Sequence, residues 1–276
     1  MIYVLYHSSC MDGFGAAYAA WKKFGPDAVY IPVSYGYPPP KMEKATEIYI
    51  LDFSFKKEVL LEMSAKAKVV MLDHHKTAKE DLEMTHVKPG AEGLVAWLEA
   101  RSNLKIIFDM NKSGALIAWE YFHPATEVPA LIQHISDRDL WQFKLPGSEI
   151  IHKALVSYPM DFETWDKFDI ARLREEGKIC ERLYTQLVNN TIRNAFFQKI
   201  DGHNIPVVNT SIAWSEVGHA LLERYPDAPF VASFTVLPDT VMWSLRSRPN
   251  FDVSAVAKKF GGGGHAQAAG FKTPRL

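Results

Sequence analysis

Three apolar runs near the start of the chain end abruptly in residues that can hold a cation. Tyr3-Val4-Leu5-Tyr6 runs into His7, Ile48-Tyr49-Ile50-Leu51 into Asp52, and Val69-Val70-Met71-Leu72 into Asp73-His74-His75. In an open parallel sheet the carboxyl ends of the strands face one crevice, so residues placed just past them can converge. Carboxylates mixed with imidazoles suit Mn, Fe or Zn better than Ca or a thiolate zinc knot. Several carboxylates together are anionic enough to hold two divalent ions, a pair suited to phosphoryl oxygens. Taken singly, each residue has a plainer role: an Asp after a strand often caps the next helix, and an isolated His is usually packed or solvated. His86, His123, His134, His152, His203 and His219 have no comparable setting and are read as structural.

Convergence requires elements in the right order. Ile2 to Tyr6, Ala28 to Val33, Glu47 to Leu51, Val69 to Leu72 and Lys105 to Phe108 read as strands, being short runs rich in β-branched and aromatic residues. Gly13 to Phe24, Lys56 to Ala67 and Gly114 to Phe122 carry helical spacing between them. The alternation predicts a doubly wound, mainly parallel sheet in an α/β N-terminal domain. From Asp166 to Lys199 a charged stretch with apolar Leu183, Leu187, Ile192 and Phe196 reads as a long linker helix. After Gly202 the pattern restarts, with strands Ile205 to Val208, Phe230 to Val236 and Val241 to Arg246 and helices Ser215 to Tyr225 and Val253 to Phe260, which predicts a smaller α/β C-terminal domain. The expected division is therefore 1–165, a linker over 166–199, and 200–276.

Composition narrows the function classes. With 47% hydrophobic and 23% charged residues the 276-residue chain can bury ample cores. Lys and Arg number 31 against 32 Asp and Glu, a formal net charge of −1, which argues against a coat for long duplex nucleic acid. Two cysteines, Cys10 and Cys180, make no disulfide framework and fit a reducing, cytoplasmic compartment. The apolar first residues have no basic leader, and no uninterrupted apolar run approaches the roughly 20 residues of a membrane span. We therefore expect no signal peptide and no membrane partner.

The ordered set of Asp73-His74-His75 after an apolar strand, the strand-ending Asp52, and His7-x-x-Cys10-x-Asp12-Gly13 resembles the DHH phosphoesterase superfamily, which includes single-strand exonucleases, nanoRNases, cyclic-dinucleotide phosphodiesterases and family II pyrophosphatases. Separately, Ser244-Leu245-Arg246-Ser247-Arg248, then Gly261-Gly262-Gly263-Gly264-His265 and Ala268-Ala269-Gly270, resemble the DHH-associated C-terminal domain. The resemblance implies two manganese ions, other divalent metals being acceptable. It implies that His7 holds one ion, that Asp12, His74 and Asp137 hold the other, and that Asp52 bridges them. Asp139 rivals Asp137 within Ile135-Ser136-Asp137-Arg138-Asp139. His75 would face the substrate phosphate and Asp73 would orient a neighbouring histidine. The family commonly has Asp where this chain has Cys10. Either the thiol is a softer ligand of the first ion, or that ion is held more weakly with an extra water.

A four-glycine run is by composition a flexible connector. Glycines also let backbone N–H groups approach a phosphate closely, and by resemblance Arg246, Arg248, Gly262, Gly263, Gly264 and His265 line a substrate pocket opposite the metals. The implied activity is hydrolysis of short nucleotide substrates, linear dinucleotides or nanoRNA, by a hydroxide bridging two metals. Alternatives are a cyclic-dinucleotide phosphodiesterase, a 3′-phosphoadenosine 5′-phosphate phosphatase, a single-strand exonuclease or, outside enzymes, a nucleotide-sensing binding module. A homodimer is compatible with the sequence.

Overall fold

The computed structural model describes residues 1–83 and 103–275, and His86 lies outside them. The chain divides into two compact units, Met1–Cys180 and Glu181–Leu276. The first unit runs β1 (Ile2–His7), α1 (Met11–Phe24), β2 (Ala28–Val33), β3 (Glu47–Leu51), α2 (Lys57–Ser64), β4 (Lys68–Asp73), α3 (Lys76–Glu83), β5 (Leu104–Phe108), α4 (Gly114–Phe122), α5 (Ala130–Asp139), α6 (Ser148–Val156), α7 (Phe162–Trp165) and the start of α8 (Ile170–Ile192). The division between the units falls inside α8.

The five strands form one sheet in the order β2-β1-β3-β4-β5, every pair parallel. Because successive side chains point to opposite faces, each central strand feeds two cores. Val4, Tyr49, Leu51, Val70 and Leu72 pack with Phe14 of α1 and Trp119 of α4. Their neighbours Leu5, Ile48, Ile50, Val69 and Met71 pack with Leu60 of α2 and Leu82 of α3 on the other face. A Leu or Ile withdrawn fully from water in this way contributes about 1.5–3 kcal/mol. Helices on both faces make the sheet doubly wound, as the sequence predicts. The chain leaves β1 for β2 on one side and returns to β3 on the other, so the topological switch lies between β1 and β3. Open sheets of this kind bind ligands outside the carboxyl ends at that switch.

The second unit contains β6 (Phe196–Ile200), β7 (His203–Asn209), α9 (Trp214–Arg224), β8 (Phe230–Val236), β9 (Thr240–Ser247), α10 (Val253–Lys259), β10 (Gly263–His265) and β11 (Ala268–Pro274). Its sheet is mixed, in the order β10-β11-β9-β8-β7-β6, with β7 and β8 parallel. α10 covers one face with Ile205, Phe230, Leu245 and Phe271. α9 covers the other with Val208 and Val231. The helix expected through Lys199 ends at Ile192, and Phe196 begins β6 instead. An apolar residue at helical spacing also fits a strand once a turn has intervened.

Candidate metal centre

β1 hands over to α1 almost without a loop, and this places the first cluster. A Cβ on Gly13 would lie 2.3 Å from the His7 carbonyl oxygen, so only glycine lets α1 start so close to the strand end. Cys10 is the N-cap residue of α1, but its side chain makes no capping hydrogen bond. Ligand atoms of His7, Cys10 and Asp52 lie within 4.8 Å of one another. Burial pushes the Cys10 thiol up, with Asp52 and Asp139 adding to the effect against His7. A thiolate at Cys10 therefore needs a cation to balance it.

Asp52 follows β3 with φ +53°, a left-handed conformation that costs a non-glycine residue energy and often marks a functional site. Its carboxylate lies 3.4 Å from His7 Nδ1 and 3.1 Å from His74 Nε2. The N-terminus of α4 closes in from the other side. A Cβ on Gly114 would meet Asp52 Cβ at 2.5 Å. The Gly114 and Ala115 N–H groups donate to the two oxygens of Asp12 at 2.6 and 2.9 Å. Unpaired N–H groups and the helix dipole both favour negative charge there, so α4 steadies a carboxylate that sequence reading identified by its neighbours alone.

His74 Nε2 is ringed by three carboxylates: Asp52 at 3.1 Å, Asp12 at 3.4 Å and Asp139 at 3.7 Å. Burial alone would lower the pKa of His74, but hydrogen bonds to Asp12 and Asp52 outweigh it and hold the value well above the ordinary histidine range. His7 follows the same pattern, with Asp52 and Cys10 outweighing burial. Asp139 is pushed up to about 7 by burial and then by the charge of Asp12.

Asp73 sits one step behind. Its Oδ1 accepts from the backbone N–H of His74 at 2.8 Å, the backbone N–H of His75 at 3.3 Å and His75 Nδ1 at 2.7 Å. A proton on Nδ1 makes Nε2 the basic nitrogen of His75 and fixes the ring orientation.

These residues fit a divalent ion. Among the described residues, no well-formed hydrogen bond satisfies the buried His7 Nδ1 or Asp52 Oδ2, which face each other as an ion pair at 3.4 Å. Buried polar atoms left so are costly, and a cation between them would satisfy both.

Of the two rivals on α5, Asp137 has both oxygens engaged away from His74. Its Oδ1 accepts from Lys144 N–H at 2.8 Å, and its Oδ2 accepts from Leu145 N–H at 3.0 Å and Ser148 Oγ at 2.5 Å. Both oxygens fasten the turn after α5 to α6. Two residues along a helix is about 200°, so Asp139 faces the strand ends where Asp137 cannot.

In the second unit the expected residues divide. Arg246 lies across α9, donating to Ser215 Oγ at 2.9 Å and Ser244 Oγ at 3.0 Å. A Cβ on Gly218 would meet its side chain at 2.5 Å. Arg248 instead donates to the carbonyls of Pro226, at 3.2 Å, and Leu222. Its guanidinium satisfies open carbonyls at the end of α9.

The glycines also have structural work. Gly261 at φ +76° ends α10, with Gly262 N–H bonding to Ala257 O at 2.9 Å and Gly261 N–H to Lys258 O at 3.0 Å, a Schellman stop. A Cβ on Gly262 would lie 2.0 Å from Gly270 O, and Gly264 holds φ +137°. Gly263 pairs with Gly270 and the partly buried His265 with Ala268 across the hairpin.

Residues 194–276 match the DHHA1 domain. Over 294 residues the chain is 29% identical to Uncharacterized protein R106 of Acanthamoeba polyphaga mimivirus, covering 97% of this chain and 66% of that protein. It is 24% identical over 306 residues to Oligoribonuclease NrnB of Bacillus subtilis (strain 168), covering 98% of this chain and 72% of that protein. The chain thus spans about two thirds of the length of these relatives. Among solved structures, RecJ from Thermus thermophilus in complex with Mn2+ matches with a TM-score of 0.50 at 14% identity, covering 98% of this chain and 49% of that one. At that identity the likeness is one of fold.

Proposed function

We propose that this chain, a DHH-superfamily phosphoesterase, hydrolyses the phosphodiester of short nucleotides, linear dinucleotides or nanoRNA, at the carboxyl edge of its first sheet with two divalent ions, manganese foremost. The observation that carries this reading is the convergence of Asp12, Asp52 and Asp139 on His74 Nε2, beside the long, poorly hydrogen-bonded pair of His7 Nδ1 and Asp52 Oδ2. Likeness to an oligoribonuclease over 98% of the chain supports the substrate class.

In this reading His7, with Cys10 beside it, holds one ion. Asp12, His74 and Asp139 hold the other, and Asp52 lies between them. When bound, the ions supply a water of lowered pKa and positive charge against the phosphoryl oxygens. His75 presents Nε2 to the phosphoryl group, with Asp73 keeping the other nitrogen protonated. α4 holds Asp12 in place before any ligand arrives, which lowers the reorganisation that binding demands. Within the second unit, Arg246, pre-oriented by Ser215 and Ser244, and His265 are proposed as nucleotide-binding residues.

The test is turnover of linear dinucleotides and of single strands of about ten nucleotides with added manganese, read by product chromatography. Rates should fall steeply with length, because long strands need an extended stacking track. Equal rates would replace this reading with a single-strand exonuclease. Tight nucleotide binding without hydrolysis under any divalent metal would replace it with a binding module.

A further inference from the structure

Just past β2, a tyrosine stands at the rim of the cluster and is drawn into none of the roles above. The ring of Tyr35 stacks on Phe53 at 4.2 Å with an interplanar angle of 27°. It meets His7 edge-on at 5.6 Å and His75 edge-on at 6.1 Å. Phe53 is 1% exposed, whereas Tyr35 is 43% exposed and Tyr37, two residues on, 66% exposed. One face of the Tyr35 ring is thus covered by Phe53, and the exposed remainder borders two imidazoles of the site.

The ring is fixed in place. The backbone of Ser54 hydrogen-bonds the Tyr35 hydroxyl, which burial and the charges of Asp73 and Asp52 keep in its neutral form. The loop that carries it is tied back to the end of β1, where Ser8 N–H donates to Val33 O at 2.9 Å and the Ser8 and Ser34 hydroxyls share a hydrogen bond. Beyond it, Pro38-Pro39-Pro40 restricts the backbone further. A stacking partner would meet a ring already ordered, with little entropy left to lose.

We propose that the exposed face of Tyr35 is a subsite for a planar heteroaromatic base, the nucleobase attached through its ribose to the phosphoryl group at His7 and His75. This rests on the phosphoesterase reading for what lies beside the ring. The argument for a base over another apolar group is one of attachment. An anion held at the imidazole and carboxylate cluster brings with it whatever is covalently joined, and in a nucleotide that is a sugar and then a flat π-system. Stacking of a base on an aromatic side chain is worth about 1–3 kcal/mol and tolerates any base, so the subsite would raise affinity without choosing sequence. The competing role for Tyr35 is to roof Phe53 and nothing more.

Calorimetric titration of the full-length protein with adenosine 5′-monophosphate and with ribose 5-phosphate, in manganese, separates the two. The wild type should bind the nucleotide about 10-fold more tightly than the sugar phosphate, the lower part of the range for one stacked base. Tyr35→Ala should cut that preference below about 2-fold while leaving ribose 5-phosphate affinity unchanged. Tyr35→Phe, which keeps the ring, should retain the preference. The subsite is overturned by a wild type without preference, by a Tyr35→Ala that keeps it, or by equal loss for both ligands, the mark of a roof over Phe53. Cleavage of dinucleotides by a wild type that binds adenosine 5′-monophosphate and ribose 5-phosphate alike would sink the subsite alone. A Tyr35-dependent preference without cleavage of any diester would sink the hydrolase reading alone.

Discussion

At the carboxyl edge of the first sheet, His7 Nδ1 and Asp52 Oδ2 lie buried 3.4 Å apart with no well-formed hydrogen bond among the described residues, and three carboxylates crowd one imidazole nitrogen. In the glycine-rich part of the second unit the polar groups have partners instead: Arg248 closes the end of α9 and Gly261 and Gly262 stop α10. Both regions are dense in residues that suggest chemistry. The first holds them in an arrangement the fold alone leaves unsatisfied, which is what a ligand site requires. The second spends several of them on holding its own shape. Residue type therefore says less about function than whether the group's bonding capacity is already used.

The largest test of this contrast is Asp52→Asn. Asn is isosteric, so the variant should fold, but it removes the charge that lies between His7 and His74. Hydrolysis should fall about 10³-fold or more in steady-state assays, with binding of divalent ions weakened in parallel. A folded Asp52→Asn protein with near wild-type turnover would mean that the unsatisfied edge is not the working site.

How much of this could be read from the chain depended on the range of the interaction. Strands such as Ala28–Val33, Glu47–Leu51 and Phe230–Val236 were legible to the residue, because short β-branched and aromatic runs are written locally. The convergence of His7, Asp52 and His74 was legible because a parallel sheet puts all its carboxyl ends together. Asp139 over Asp137 was not, since the face α5 turns toward the strands is decided by packing. The hydrogen bonds of Arg248 were not legible for the same reason: its partners Leu222 and Pro226 are 26 and 22 residues away. Tyr35 sits in a loop, where no periodicity marks a residue as facing a site.

If the glycine-rich region is chiefly architectural, its variants should lose stability before they lose anything else. Gly262→Ala places a methyl group 2.0 Å from Gly270 O, and backbone must move to admit it. The expected cost is about 2–3 kcal/mol, seen as a lower unfolding midpoint in urea. Arg248→Ala, which strands two carbonyls, should cost about 1–2 kcal/mol. A Gly262→Ala protein with wild-type stability and a specific loss of nucleotide affinity would return the run to the role its resemblance implies.

The smallest effect concerns a histidine of the first unit that the cluster does not use. Burial holds the pKa of His152 well below the ordinary value, with the charges of Arg138 and Lys153 adding to it. In the unfolded chain the same ring titrates near 6.5. Below that pH the unfolded state takes up a proton that the folded state refuses, so stability is lost as pH falls through the unfolded value. The cost is complete only below the depressed folded value. His152→Gln removes this term, so the variant should gain on the wild type between pH 7 and pH 5. Because the residue as a whole is only half-buried, the gain should stay below about 1 kcal/mol. Paired urea titrations at the two pH values measure it directly, since the shifted histidines of the cluster are common to both proteins and cancel. A constant difference between variant and wild type across that range would show that His152 titrates alike in both states. The contrast between groups the fold satisfies and groups it leaves strained would then stop at the cluster itself.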